Sequence, residues 1–314
     1  MAFISVIIPL YNKENYIAQT IRSILDQDDK DYEIIIVDDC STDKSFSIAS
    51  SYQNEAIRLI RHTENKGLSA ARNTGIRASG SAYVTFLDAD DVWKPFFLSE
   101  IRSLIASFPE AGIYGTNYEE VYQNGLKLPI RKTTVALSGN QTGIIRDFYS
   151  ANIQQPIYCY SSVAFKKIVF DVAGFFDETI NFGEDIDFNI RANFSYTLAY
   201  SNRIGASYTV FSENQITTSS IANKTITDFD KYEHYKQTRP EVKKYLDFKR
   251  YTVAMQYKMA GEKEKYASMK SSISPGSLTF KQRILLQLPV FLTRMVKQFK
   301  QFLLRRGIKV TSYN

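Results

Sequence analysis

The stretch FLDADDVW, residues 86–93, decides how this chain is read: an apolar run ends in three carboxylates, Asp88, Asp90 and Asp91, within four positions. Like charges this close repel unless a cation or a proton comes between them. Asp88 and Asp90 can present oxygens to one hard divalent cation, Mg²⁺ or Mn²⁺, which keeps part of its water shell and draws further ligands from phosphates. The plainer role, capping a helix that starts near Pro95, accounts for one aspartate but not for three.

Roughly eighty residues of alternating β-rich and helical segments precede the motif. FISVIIPL (3–10), YEIIIVDD (32–39), AIRLIRHT (56–63), AYVTFLDA (82–89) and GIYGTNYEEV (112–121) read as strands. They are nearly continuous in apolar character, as in a sheet covered on both faces. Between them, residues 15–27, 44–52, 68–78 and 95–107 have helical spacing with polar or proline starts. This order predicts an α/β fold: a doubly wound, mostly parallel sheet with helices on both faces. Ligands of such sheets bind beyond the carboxyl ends of the strands. The polar residues gather there: Tyr11, Asn12 and Glu14 after the first strand, Asp38 and Asp39 after the second, and the DADD run after the fourth.

With 314 residues and 44% hydrophobic side chains, the chain can bury a full core and has room for one large domain plus an appendage. Cys40 and Cys159 are too few for a disulfide framework and match no zinc spacing, which points to packing thiols in a reducing compartment. MAFISVIIPLYN, residues 1–12, lacks a basic n-region and a cleavage site, and reads as a first buried strand rather than a signal peptide. The net charge is +6, but ten Lys or Arg follow the last acid, Glu264, so residues 1–264 carry −4. The main domain therefore has no charge argument for nucleic-acid binding.

The expected organisation is a catalytic domain over 1–220, a polar, tyrosine-rich helical extension over 221–275 and a basic amphipathic tail over 276–314. In the tail, Ile284, Leu285, Leu288, Phe291, Leu292, Met295, Phe299, Phe302 and Leu303 recur at helical spacing, and Pro289 should break or kink the run. Such a helix suits an anionic membrane surface; the alternative is packing on the catalytic domain or on another subunit. No apolar run reaches the ~20 residues that a span needs.

Three more motifs carry chemistry. In VDDCSTD (37–43) an aspartate can accept the imide N–H of a uracil, or serve only a local turn and helix cap. In NKGLSAARNTG (65–75) the next basic residue after Arg72 is Arg77, about 140° around a helix, so Arg72 is alone on its face. It can clamp a diphosphate or hold an acid in place. In NFGEDIDFNIRA (181–192), Glu184 and Asp185 follow a glycine at a helix start, where the dipole favours negative charge, and an ionised aspartate can act as a general base. No Gly-x-Gly-x-x-Gly follows the first strand, which argues against a dinucleotide. His62 ends a strand and reads as structural; His234 is a candidate acceptor-side or metal-side group.

Taken in this order, SVIIPLYN with Glu14, VDDCSTD, NKGLSAARNTG, FLDADD and GED resemble the family 2 nucleotide-sugar glycosyltransferases of the GT-A fold, over about residues 1–195. The resemblance implies an inverting, metal-dependent enzyme that moves one sugar from a nucleoside-diphosphate sugar, carried on UDP, to a hydroxyl of a glycan or lipid-linked acceptor. By the same resemblance Pro9, Tyr11 and Asp39 bracket the base, with Glu14 in the donor-binding set. Arg72 approaches the base or diphosphate, Asp88 meets the ribose, Asp90 binds Mn²⁺ or Mg²⁺, and Asp185 is the catalytic base. The family's processive members carry Gln-x-x-Arg-Trp, whereas the only tryptophan here is Trp93, so single-sugar addition is expected. Resemblance to bacterial surface-polysaccharide enzymes implies a cytoplasmic protein, peripheral at the inner face of the cell membrane; oligomerisation is left open. Two alternatives stand beside this reading. One is a catalytically dead nucleotide-sugar-binding protein. The other is a haloacid-dehalogenase-like phosphatase, whose Asp-x-Asp-x-Val pattern Asp88, Asp90 and Val92 match, but whose motif closes the first strand of its core.

Overall fold

The computed structural model describes residues 2–130, 132, 136–153, 155–216, 219–306 and 310. Of the basic tail residues, Lys309 lies outside this set. In chain order the elements are β1 (Ile4–Leu10), α1 (Ile17–Leu25), β2 (Tyr32–Asp38), α2 (Ser45–Ser50), β3 (Ile57–Arg61), α3 (Leu68–Ala78) and β4 (Tyr83–Phe86). Then come β5 (Val92–Trp93), α4 (Phe97–Ser107), β6 (Ile113–Val121), β7 (Lys127–Pro129), β8 (Thr142–Ile145), α5 (Phe148–Ala151) and β9 (Val163–Lys166). The remainder are α6 (Ile168–Ala173), α7 (Glu184–Ser195), β10 (Leu198–Thr209), α8 (Glu241–Ala260), α9 (Lys263–Ser271), α10 (Phe280–Gln287) and α11 (Val290–Arg305).

Two compact units result. The first comprises Met1–Ala151, Gln155–Thr218 and Thr225–Thr227; the second comprises Asn152–Gln154, Ser219–Lys224 and Asp228–Asn314. The first unit is built on one sheet in the order β3-β2-β1-β4-β9-β6-β10-β5, with β7 on β6 and β8 on β10. β3, β2, β1 and β4 run parallel, as do β6 and β10, while β9 is antiparallel to both β4 and β6. The DADD motif thus follows the fourth strand, not the first, which is not the arrangement of the phosphatase alternative.

Every residue of β1 is buried, as expected of a strand covered on both faces. Ile4, Val6, Ile8 and Leu10 share one cluster with Ile17, Ile21 and Ile24 of α1 and with Ile101 and Leu104 of α4. The opposite face carries Ile7, on which α3 lies so closely that a Cβ at Gly75 would stand 2.4 Å from Ile7 Cγ2. Pro9 is tolerated inside β1 because the β4 ladder stops at Ile7↔Phe86, before a proline N–H would be needed. β4 is shorter than the apolar run suggests. Beyond Phe86 the chain leaves the sheet, and the Thr20 hydroxyl reaches the carbonyls of Ala89 (3.0 Å) and Asp91 (2.8 Å). Ahead of β9 the chain makes a 3₁₀ turn at Tyr160–Ser162.

In the second unit α8 packs Phe248, Tyr251 and Ala254 against Ile273, Leu278 and Leu286. The fully buried Arg250 is met by Glu233 (2.6 Å), Asp230 (2.6 Å) and Asp247 (3.1 Å). Partial burial works to raise the Glu233 pKa, but hydrogen bonds from Lys243 and Arg250 prevail and bring it down to about 2. His234 stacks edge-on against Tyr235 in the 3₁₀ helix Asp230–Gln237.

The α3–β1 approach yields a test. Gly75→Ala should cost about 1–3 kcal/mol, since the added methyl must displace a packed Ile7 side chain. Urea unfolding should show a lower midpoint at an unchanged m-value, and an unaltered midpoint would mean that the helix does not lie this close.

Candidate active site

The carboxyl ends of β1, β2 and β4 form one rim, at the point between β1 and β4 where the strand order reverses. Asp39, the first residue past β2, is 3% exposed. Its Oδ1 lies 2.7 Å from His62 Nδ1 and accepts the Lys66 N–H (2.8 Å), while Oδ2 accepts the Gly67 N–H (2.8 Å). One lone pair on Oδ2 is left for an outside donor. Asp38 turns inward to Arg61 (3.0 Å). The local-turn reading of VDDCSTD is also realised, since Asp43 accepts the N–H groups of Glu14 (3.1 Å) and Ser45 (2.9 Å). Glu14 Oε2 accepts the Lys44 N–H (2.9 Å), so in this structure Glu14 fixes the start of α2. Tyr11 stands 41% exposed at the rim, and Pro9 is buried.

The three DADD carboxylates are handled separately. Asp88 Oδ1 accepts from Arg72 Nη2 (3.0 Å). Asp90 Oδ2 accepts from Lys13 Nζ (2.8 Å) and from the Ser212 hydroxyl. Asp91, wholly buried, takes the Ser161 hydroxyl (2.5 Å) and the Thr209 N–H (2.8 Å). Burial, with the charges of Asp90 and Asp88 behind it, pushes the Asp91 carboxyl well above the usual carboxylate range. None of the three caps α4, whose N-cap Phe96 has no side-chain hydrogen bond.

Arg72 carries the assembly. Its side chain, 3% exposed, reaches Asp88 with one terminal nitrogen and Glu184 Oε1 (2.8 Å) with the other. The guanidinium lies over the rings of Tyr160 (4.5 Å) and Phe176 (5.4 Å). Burial would lower its pKa, but Asp88 and Glu184 outweigh that and hold it above its ordinary value. The Glu184 pKa is raised by burial against the pull of Arg72, with the Asp185 charge adding to the rise.

Glu184 opens α7 after Gly183, whose φ of 74° suits a glycine. Asp185, next along, is half-buried, and no hydrogen bond or ion pair holds its carboxylate among the described residues. Burial raises the pKa of the Tyr158 and Tyr160 phenols, and the charge of Asp185 raises it further.

The structure therefore joins Asp88, Arg72 and the GED helix start and sets Asp90 beside Asp88 on one loop, with Asp39, Tyr11 and Pro9 on the adjoining strand ends. Sequence reasoning missed Lys13, Ser212 and Ser161, single polar residues with no pattern around them. No group of three or more His, Cys, Asp or Glu suited to a metal occurs among the described residues. A hard cation that shares phosphate oxygens needs only one or two carboxylates. Asp88 Oδ2 and Asp90 Oδ1 have no partner among the described residues, so the donor set fits one.

Comparison with known proteins agrees with this architecture. The model of the family Glycosyl transferase family 2 matches residues 5–171. The chain is 45% identical over 93 residues to the putative teichuronic acid biosynthesis glycosyltransferase TuaG of Bacillus subtilis, covering 29% of this chain and 37% of that one. It is 31% identical over 194 residues to the uncharacterized glycosyltransferase EpsJ of the same organism, covering 60% of this chain and 55% of that one. The alignments thus span about a third to a half of these relatives. Among solved structures, S. aureus TarS 1-349 in complex with UDP-GlcNAc superposes with a TM-score of 0.62 at 17% identity, over 90% of this chain and 86% of that one. At that identity the likeness is one of fold, and the fold, the strand-end rim and the family match over more than half of the sequence agree: the chain belongs to glycosyl transferase family 2.

Proposed function

We propose that this protein transfers a single sugar from a UDP-sugar to a hydroxyl of a glycan or lipid-linked acceptor, with inversion at the anomeric carbon. The observation that carries the reading is the Arg72 bridge, which brings the DADD loop and the start of α7 into one site. The UDP-GlcNAc complex of TarS and the similarity to the putative teichuronic acid biosynthesis glycosyltransferase TuaG support it. The spare Asp39 lone pair, Tyr11 and Pro9 would hold the base, Asp88 the ribose, and Asp90 with Asp88 a Mn²⁺ or Mg²⁺ ion. When bound, such an ion supplies positive charge against the departing diphosphate. Glu14 and Arg72 act by holding the loops that carry these groups. Asp185 takes the proton of the acceptor hydroxyl as that oxygen bonds to the anomeric carbon. The bond from that carbon to the diphosphate oxygen breaks in the same displacement, its electron pair leaving with UDP.

We further propose attachment at the inner face of the cell membrane, through α11. Phe291, Met295 and Phe299, four positions apart, are 63%, 59% and 61% exposed on one face of that helix. Lys281, Arg283, Arg294, Lys297, Lys300 and Arg306 lie on either side of them in the sequence, and no acid follows Glu264. On an anionic surface each basic residue adds about 1 kcal/mol. Among the described residues no helix is long and apolar enough to cross a membrane.

Two measurements test these readings. Asp185→Asn should lower transfer by about a hundredfold or more while the thermal shift produced by UDP with Mn²⁺ stays as in the unaltered protein; equal loss of both would make Asp185 a binding residue. Phe291→Ser with Phe299→Ser should reduce co-sedimentation with anionic vesicles by about tenfold or more, as two half-inserted rings are removed, and raised salt should do likewise. Partitioning that ignores both changes would remove the membrane reading.

A further inference from the structure

Lys13 has no place in the mechanism above, yet it touches that mechanism's central carboxylate. It follows β1 in the turn held by Asn12 (φ 49°) and by its own N–H to Ser45 Oγ (2.6 Å). Its side chain is only 10% exposed. The ammonium donates to Asp90 Oδ2 (2.8 Å), Ser212 Oγ (3.0 Å) and the Glu213 carbonyl (2.6 Å), which uses all three of its protons. The Ser212 hydroxyl turns to the same Asp90 oxygen, and Glu213 Oε2 accepts from Asn15 Nδ2 (2.9 Å). The segment so held is bounded by two non-glycine residues with left-handed backbones, Phe211 (φ 64°) and Asn214 (φ 57°). That conformation is disfavoured for an aromatic residue and persists only where surrounding contacts enforce it.

We propose that Lys13 is the built-in counter-ion of Asp90: it competes with the divalent cation for that carboxylate, and the same ammonium pins residues 212–213 beside it. The proposal rests on Asp90 being a cation ligand, as read above. With Lys13 in place, the Asp90 carboxylate already faces a cation of its own, as Asp88 faces Arg72. A doubly charged ion arriving at Asp90 meets an ammonium a few ångströms away, a repulsion that costs more than a tenfold loss in affinity even at a surface-like dielectric. Strong cation binding then requires a compensating anion, which the donor's diphosphate brings, so cation and nucleotide enter together. Displacement of the ammonium releases Ser212 and Glu213 in the same event.

The test is Mn²⁺ alone, titrated into the full chain and followed by the electron-spin resonance signal of the free ion, with UDP added in a second series. Lys13→Met should bind Mn²⁺ at least about tenfold more tightly than the unaltered protein in the absence of UDP. Lys13→Arg, which keeps the charge, should not. Lys13→Gln, which keeps donors for Ser212 and Glu213 without the charge, should behave as Lys13→Met and guards against a folding defect in the latter. Adding Asp90→Asn to Lys13→Met should abolish the gain. Equal Mn²⁺ affinity with and without the Lys13 charge, while UDP still recruits the ion in every form, would overturn the counter-ion role and leave Asp90 as the ligand. Absence of Mn²⁺ binding in all forms, with or without UDP, would overturn both.

Discussion

One buried guanidinium sets the geometry of the catalytic unit. Arg72 comes from α3, Asp88 from the loop beyond β4, and Glu184 from the start of α7, more than a hundred residues later in the chain. Taking Arg72 and Glu184 out of water, with Asp88 partly covered beside them, is costly, and the attraction among the three repays it only if the distances are short. The aromatic floor of Tyr160 and Phe176 helps by offering ring faces to the cation. The demand for short distances passes outward. α3 must lie low on β1, which is why position 75 has no side chain, and Gly183 must turn the chain so that Glu184 faces inward. Such a bridge is weak evidence for stability, since well-packed apolar residues of similar volume often stabilise as much or more. Asp185 is placed by its neighbour Glu184 rather than by partners of its own.

The crowding of three carboxylates in four positions is resolved by giving each a different fate. Asp88 faces Arg72, Asp90 faces Lys13, and Asp91 sinks into the core, where burial biases it toward its neutral form and two donors satisfy it. The run therefore presents two charges to the rim, not three. Each of those two has one oxygen engaged and one without a partner among the described residues, a division that leaves room for a ligand without leaving a bare buried charge.

Much of this was legible in the sequence, for identifiable reasons. β1 and β2 are apolar at nearly every position because both their faces are covered, so their extent could be read directly. α1 shows its face in Ile17, Ile21 and Ile24. The end of β4 could not be read, since Leu87 and Ala89 are as buried as strand residues, although the Ala89 carbonyl is met by Thr20 from another element. Nor could the insertion of β9 between β4 and β6, because strand direction leaves no mark on a four-residue apolar run. In the site, motifs with several polar residues together were found and lone contributors were not. Lys13 resembles any lysine ahead of a surface helix, and its partner Ser212 lies about two hundred residues away. Glu184 was noticed, but its pairing with Arg72 exists only in three dimensions.

The tail shows the same dependence of a readable feature on an unreadable partner. Pro289 was expected to break the run of helical spacing, and α10 does end at Gln287 before α11 starts at Val290. A proline has no N–H for the carbonyl four residues back, here Leu285, and an abandoned buried carbonyl is costly. Lys258, on α8, supplies the missing donor: its Nζ lies 2.9 Å from the Leu285 carbonyl and 2.9 Å from that of Leu286, which Tyr266 also reaches. The break is thus stabilised from outside the segment that contains it. Leu286 can then stay in the core of its unit with Phe248, Tyr251 and Ala254, while Phe291, Met295 and Phe299, one short turn further on, lie in solvent. A continuous helix would have carried one face along its whole length. The proline allows the first segment to be anchored and the second to offer its apolar face elsewhere.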